Sequence, residues 1–391
     1  MIVSMVFNHE GWSSMQDIIQ PKIDNPVTLL EFFSAVADPR IERSKQYPLI
    51  NVLVFTFVSI LSDQTSWYQI EEFCETNIDW FAEFLDISSG VPSHDTFRRV
   101  LSLIDTGQLE NAIIQWLENT RTLFGSSRRV VALDGKSLRG VAWKINEEQL
   151  HILNAWDASN NKFVGQLTVE KKTNEITAAP KMLSLMDLKE TVITVDAIMT
   201  QREVAKTIIS KGGNYVMALK GNQGTLFDDV KLYFSESEHG MSCSRSVEKN
   251  RGQVEIRTCT KTDNITWLTQ KSEWQGLNGL FRIDSEIIKE GKISRESRYY
   301  ITSLCVDASE LLWIARQHWA VENQLHRTLD VHFKEDGCQV HNRRAAANLS
   351  VLRKLALSLL KQIDPKKTLI SKLKKSAYSP GFRRKCLLGI F

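Results

Sequence analysis

Residues 129–140 read "RVVALDGKSLRG". Four apolar residues, Val130-Val131-Ala132-Leu133, run straight into Asp134-Gly135-Lys136, and Arg139 follows. A short apolar run that breaks into charge predicts a buried strand ending in a carboxylate. An Asp-Gly step also suits a plain turn, so the strand's neighbours decide what the acid is for. "HILNAWDA" (151–158) and "KFVGQLTVE" (162–170) read as two more strands, joined at "SNNK". "NEITAAPKMLSLMDL" (174–188) reads as a helix in which Pro180 either sits in the first turns or breaks it. "TVITVDA" (191–197) is a strand that again ends in an acid, Asp196. "TQREVAKTIISKGG" (200–213) is a helix capped by Thr200, and "NYVMALKGNQ" (214–223) a further strand. The order is β-β-β-α-β-α-β. A meander followed by alternating crossovers predicts an α/β core with a mixed five-stranded sheet.

If the strands of Asp134 and Asp196 are parallel neighbours, both carboxylates emerge at one edge of the sheet, where open α/β sheets bind ligands. Two such carboxylates repel unless a cation sits between them. Hard oxygen donors point to Mg²⁺ or Mn²⁺, and a site for two ions needs a third acid. Glu322 is the best placed. In "RQHWAVENQLH" (316–326) it lies four residues from His318 and four from His326, on one predicted helix face. Asp330, Glu335 and Asp336 remain rivals. Zinc at Cys338-x2-His341 lacks a second paired motif. "KGGN" and "KGNQG" match neither a P-loop nor a dinucleotide fingerprint.

Around this core, 391 residues predict more than one folding unit. Residues 28–123 read as helical. The longest apolar run, "LINVLVFTFVSIL" (49–61), carries Asn51, Thr56 and Ser59. It is too short and too polar for a bilayer span, and it suits a buried helix. Ser93 caps a helix starting near His94 whose outer face shows His94, Arg98 and Arg99, either a DNA-contacting face or plain surface. Residues 224–305 hold strand-like pieces, "QVEIRTCT", "GLFRIDSEII" and "ESRYYITSL". Helix returns from 308. The organisation read from this is an N-terminal helical, DNA-binding region (1–125), a core (126–223), a β-rich insertion (224–305), core helices (306–360) and a basic tail (361–391). Six cysteines without a CxxC pair fit reduced thiols in a cytoplasm. No secretory signal opens the chain, and Met15 is an alternative start to Met1.

The net charge of +3 hides an asymmetry. Residues 351–391 hold 11 Lys or Arg and one acid, Asp364, so this segment is +10 and the rest of the chain −7. A basic segment on a nearly neutral body points to a polyanion partner.

The chain resembles the H-repeat-associated transposases of bacterial insertion sequences, part of the DDE group with a ribonuclease H-like catalytic core. The resemblance runs almost end to end, through "GVPSHDTFRRVLSLID", "ALDGKSLRG", "TNEITAAPKMLSLMDL", "TVDAIMTQREVAKTIISKGGNYVMALKGNQGTL", "RYYITSL", "HWAVENQLHRTLDVHFKED" and "AAANLSVLRKLALSLLK". It implies that the three acids of the family fall on Asp134, Asp196 and Glu322, holding two Mg²⁺ or Mn²⁺ ions. It also marks Lys136, Arg139, Asn174, Glu175, Lys220, Asn222, Gln223, His318, Asn323 and His326 as motif positions. Of these, Lys136, Arg139, Lys220, Asn222, Gln223, His318 and His326, with Arg98 and Arg99, are the expected DNA contacts. Two positions depart from the family: "RGQ" (251–253) stands where relatives have His-Gly-Arg, and Arg327 replaces an aromatic residue.

The implied activity is metal-dependent cleavage at element ends and strand transfer into target DNA. It implies a cytoplasmic protein that joins the nucleoid when bound to DNA and works as a homodimer in the assembled complex. A ribonuclease H-like nuclease without strand transfer, or a non-catalytic DNA-binding descendant, are the alternatives.

Overall fold

A computed structural model describes residues 29–119, 129–138, 140, 149–169, 175–236, 241–250 and 252–388. Arg139, Asn174 and Arg251 lie outside these residues, as do both candidate start methionines.

The chain begins with helices α1 (Leu29–Ser34), α2 (Leu49–Leu61), α3 (Trp67–Thr76), α4 (Ile78–Ala82), α5 (His94–Leu103) and α6 (Thr106–Asn119). Helix α2 is apolar all round because it is surrounded; only Ile50 is less than fully buried. Ser93 caps α5 by accepting a bond from the Thr96 amide. The α2, α5 and α6 helices pack against α12 (Arg343–Gln362) and share one hydrophobic core with it.

Five strands carry the core: β1 (Arg129–Leu138), β2 (Leu150–Asp157), β3 (Lys162–Val169), β4 (Thr191–Val195) and β5 (Asn214–Leu219). Helix α7 (Glu175–Ser184) precedes β4, and α8 (Arg202–Ser210) precedes β5. The tight β2–β3 turn puts Asn161 at φ +56°, a conformation asparagine tolerates. Strand β1 is antiparallel to β2 and parallel to β4, and β4 is parallel to β5. Pro180 sits inside α7 without ending it. Thr200 does not cap α8; its hydroxyl donates to Asp196 O and Ala218 O, tying the end of β4 to β5.

The β-rich stretch expected at 224–305 adds to the core sheet, which is larger than the five strands expected. After α9 (Thr225–Glu236), strands β6 (Ser242–Asn250), β7 (Gln253–Thr262), β8 (Gly279–Lys289) and β9 (Lys292–Thr302) extend the same sheet. Strand β9 pairs antiparallel with β5, so nine described strands run β3-β2-β1-β4-β5-β9-β8-β7-β6. The five-stranded sheet is one half of a larger mixed sheet.

Helix α10 (Ala308–Val321) crosses the core strands, a π-helical turn (Glu322–His326) follows, and α11 (Arg327–His332) continues. The basic segment is not a loose tail. It folds into α13 (Leu369–Tyr378) and α14 (Pro380–Leu388), which pack against α2 and bury Lys372 and Arg383.

Candidate active site

Strand β1 does not stop at Asp134. It continues to Leu138, paired throughout with β2, while its parallel partner β4 stops at Val195. Asp134 therefore sits where one side of the strand loses its neighbour, and Gly135 makes no turn. Leu133 is in register with Val195, so Asp134 and Asp196 are the residues that follow this last pair, Asp196 just past the end of β4. Strand spacing keeps such neighbours about 5 Å apart at the backbone.

Side-chain alternation fixes which face they use. Val131 and Leu133 enter the core beneath α7 and α8. Val130 packs on the opposite face with Leu311 and Ala315 of α10. Asp134 has the parity of Val130, and Asp196 that of Val192, so both acids face α10 and the turn that follows it. Gly135 faces α7. A Cβ there would lie 2.5 Å from Glu175 Cδ, so the glycine is required by the close approach of that buried carboxylate.

Glu322, His326 and Asp134 converge. His326 Nδ1 lies 3.1 Å from Glu322 Oε2 and 3.5 Å from Asp134 Oδ2. Each of the three offers a ligand atom within 4.8 Å of the others. The expected regular helix face is interrupted here, because the π-helical turn starts at Glu322; such turns recur at functional sites. Trp156 Nε1 donates to Gln324 Oε1 at 3.0 Å, and Lys361 Nζ to Gln324 O at 2.7 Å, pinning the turn. His318 reaches Thr194 Oγ1 at 3.1 Å.

The electrostatics follow from this crowding. Burial pushes the Asp134 carboxyl above the usual range; His326 and His318 oppose that, and Asp196 and Glu322 add to it. The hydrogen bond from His326 holds Glu322 below its ordinary value. Burial lowers His318, with the Asp134 and Asp196 carboxylates pulling the other way. Asp134 and Glu322 converge, and Asp196 is close enough to act on the charge of Asp134; together they are a donor set suited to a hard divalent cation.

The other expected contacts divide. Lys220 is exposed just after β5, and Arg98 and Arg99 are exposed on α5, with Arg98 paired to Asp95 at 2.8 Å. Asn222 donates its amide to Ala197 O (2.7 Å) and Gln223 to Thr200 O (2.6 Å), so both brace the loop behind Asp196. Lys136 is turned inward. It is 9% exposed and bonds Asp330 Oδ1 (2.5 Å) and Glu335 Oε2 (3.0 Å), which also engages two of the rival acids. Those bonds give its ammonium a structural role. Cys338 is buried and receives a bond from Arg353.

Sequence reasoning missed a cavity of about 140 Å³ beside Asp196, lined by Lys220, Phe227, Arg298, Tyr299, His318 and Trp319. The Arg298 guanidinium stands 3.8 Å from the Trp319 ring centroid. Arg298 comes from β9, so only the continuous sheet reveals it.

An acid within β1, a second just past β4 and a third on the turn after α10 are the donor types that metal-dependent phosphoryl transfer uses. The transposase DDE domain matches residues 125–359, and the DDE_Tnp_1-associated region matches 30–117. The chain belongs to the DDE-domain transposase family. It is 34% identical over 374 residues to the putative protein YbfL of Escherichia coli (strain K12), spanning 92% of this chain and 98% of that one. It is 33% identical, over the same shares, to the H repeat-associated putative transposase YhhI of the same strain. An uncharacterized protein in the dhlA 3' region of Xanthobacter autotrophicus is 40% identical over 279 residues, 71% of this chain and 94% of its own. Among solved structures, a piggyBac transposase synaptic complex with hairpin DNA matches over 93% of this chain and 82% of its own, at a TM-score of 0.41 and 11% identity.

Proposed function

We propose that this transposase cuts DNA at the ends of an insertion sequence and joins the freed 3′-hydroxyl to target DNA, using a ribonuclease H-like core and Mg²⁺ or Mn²⁺. The observation that carries this is the pairing of Leu133 with Val195, which leads directly into Asp134 and Asp196, with Glu322 facing Asp134. These three carboxylates would hold two ions; when bound, such a pair activates the attacking oxygen and stabilises the leaving one.

The chain's own residues supply the rest. The sheet holds Asp134, the Met199 amide donates to Asp196 Oδ1 just past β4, and Gln324, pinned by Trp156 and Lys361, fixes the turn that carries Glu322. Lys220, exposed next to Asp196, is the nearest candidate to neutralise phosphate. Arg98 and Arg99 on α5 and the exposed lysines of α13 would grip DNA away from the chemistry. Two element ends must meet in one complex, so two copies of the chain would act together.

The test is cleavage of end-sequence DNA by Asp134→Asn, Asp196→Asn and Glu322→Gln. Each should abolish metal-dependent cutting and keep DNA binding. Full cutting by any one would remove that residue from the metal site. Joined products separate strand transfer from simple nicking.

A further inference from the structure

We infer that His326 is a metal ligand in its own right, through Nδ1, so that one ion position has two carboxylate donors and one imidazole. This deepens the metal-dependent reading above and rests on it.

Three observations converge. First, His326 is 5% exposed, and among the described residues its Nδ1 faces two carboxylates, at 3.1 Å from Glu322 and 3.5 Å from Asp134. Bonds of about 2.1 Å set at right angles put neighbouring donors about 3 Å apart, so these spacings are those of adjacent ligands on one small ion. Second, Nε2 has no hydrogen-bond partner among the described residues. Among the described residues, the ring's polar contacts are therefore made by Nδ1 with the acidic cluster. Third, His326 is the last residue of the π-helical turn that opens with Glu322. The irregular turn delivers the carboxylate and the imidazole together, from one rigid segment.

His318 differs. Its Nδ1 is taken by the Thr194 hydroxyl, so that face of the ring is committed to the sheet.

A nitrogen donor changes which ion is preferred. Mg²⁺ is bound almost entirely through oxygen, whereas first-row transition ions accept imidazole readily. Two carboxylates with one imidazole suit Mn²⁺, which still serves phosphoryl transfer.

The experiment is pulsed electron paramagnetic resonance of the full-length protein loaded with Mn²⁺ alone, without DNA. The expected result is a modulation from a directly bound nitrogen, altered when the histidines carry ¹⁵N. His318→Gln should keep it and His326→Gln should lose it. The labelled wild-type protein answers the question even if the His326 variant does not fold. In calorimetry, His326→Gln should weaken Mn²⁺ binding by at least about tenfold and Mg²⁺ binding far less. Bound Mn²⁺ without a nitrogen signal, or a signal lost in His318→Gln instead, overturns the inference and leaves the three-carboxylate site standing. No Mn²⁺ binding at all overturns both.

Discussion

Lys136 Nζ lies 3.0 Å from Glu335 Oε2 in an interior where Glu335 is 1% exposed. Lys136 shares a strand face with Asp134, and Asp330, its other partner, lies two turns beyond Glu322. The pair thus clamps β1 to the segment carrying the third acid. Burial alone would raise Glu335, but Lys354 and Lys136, with the Ser350 hydroxyl, hold it down at about 2. Removing one side of a buried pair typically costs about 3–5 kcal/mol. Lys136→Met should lose stability of that order in urea unfolding. The salt dependence of DNA binding should not change; a slope reduced by about one would restore Lys136 as a phosphate contact.

Gly135 yields a second prediction. Its neighbour Glu175 is 3% exposed and has little room to retreat from an added methyl group. Gly135→Ala should destabilise the fold by about 1–3 kcal/mol. It should also shift Asp134 and reduce cleavage by about 100-fold, the usual consequence of ångström-scale misplacement. Shortening the acid, as Glu175→Asp in the same chain, should recover part of the stability. A fully stable and active Gly135→Ala would contradict the close approach.

What the sequence made legible was local. The passage from apolar run to acid marks Asp134 and Asp196, because burial and side-chain alternation act over a few residues. The continuation of β1 past Gly135 depends on pairing with β2, and the inward turn of Lys136 on partners 194 and 199 residues away. Neither leaves a local pattern. The spacing of His318, Glu322 and His326 fits a regular helix, yet the π-helical turn breaks it, held by Trp156 and Lys361 from distant segments. Charge counting marked the C-terminal segment as basic. It could not separate Lys372 and Arg383, which are buried, from the lysines around them that face solvent.

A buried acid outside the active site gives a pH prediction. Glu110 on α6 is 2% exposed and accepts bonds from Gln166 Nε2 (2.9 Å) and Thr168 Oγ1 (2.8 Å). Burial raises its carboxyl to about 7 from 4.5, against those hydrogen bonds and the Lys354 charge. A folded-state value above the unfolded one means that the native state holds the extra proton between them. The stabilisation is complete below pH 4.5 and is lost as pH rises through about 7. At about 1.4 kcal/mol per unit, the window carries about 3 kcal/mol. Glu110→Gln should flatten the stability profile between pH 4.5 and 7 in urea titrations. An unchanged slope would mean that Glu110 stays ionised in the fold.

The last prediction concerns DNA grip. Lys366, Lys367, Lys374 and Lys375 are exposed around and along α13, beside Tyr378, which is 79% exposed. By contrast, Lys372 donates to Leu360 O at 2.8 Å, and Arg383 donates to Ser376 O, Ala377 O and Asn77 Oδ1. Deleting the segment after residue 360 would strip Leu373, Phe382 and Leu387 from the core and confuse binding with folding. Charge reversal at the four exposed lysines avoids that. Each lysine that meets a phosphate contributes about 0.9 to the slope of log affinity against log salt on duplex DNA. Lys366, Lys367, Lys374 and Lys375 changed together to Glu should lower the slope by about 2–4 and weaken binding most at low salt. The unfolding midpoint should move little. Equal affinity and slope in the variant would show that this face does not touch DNA.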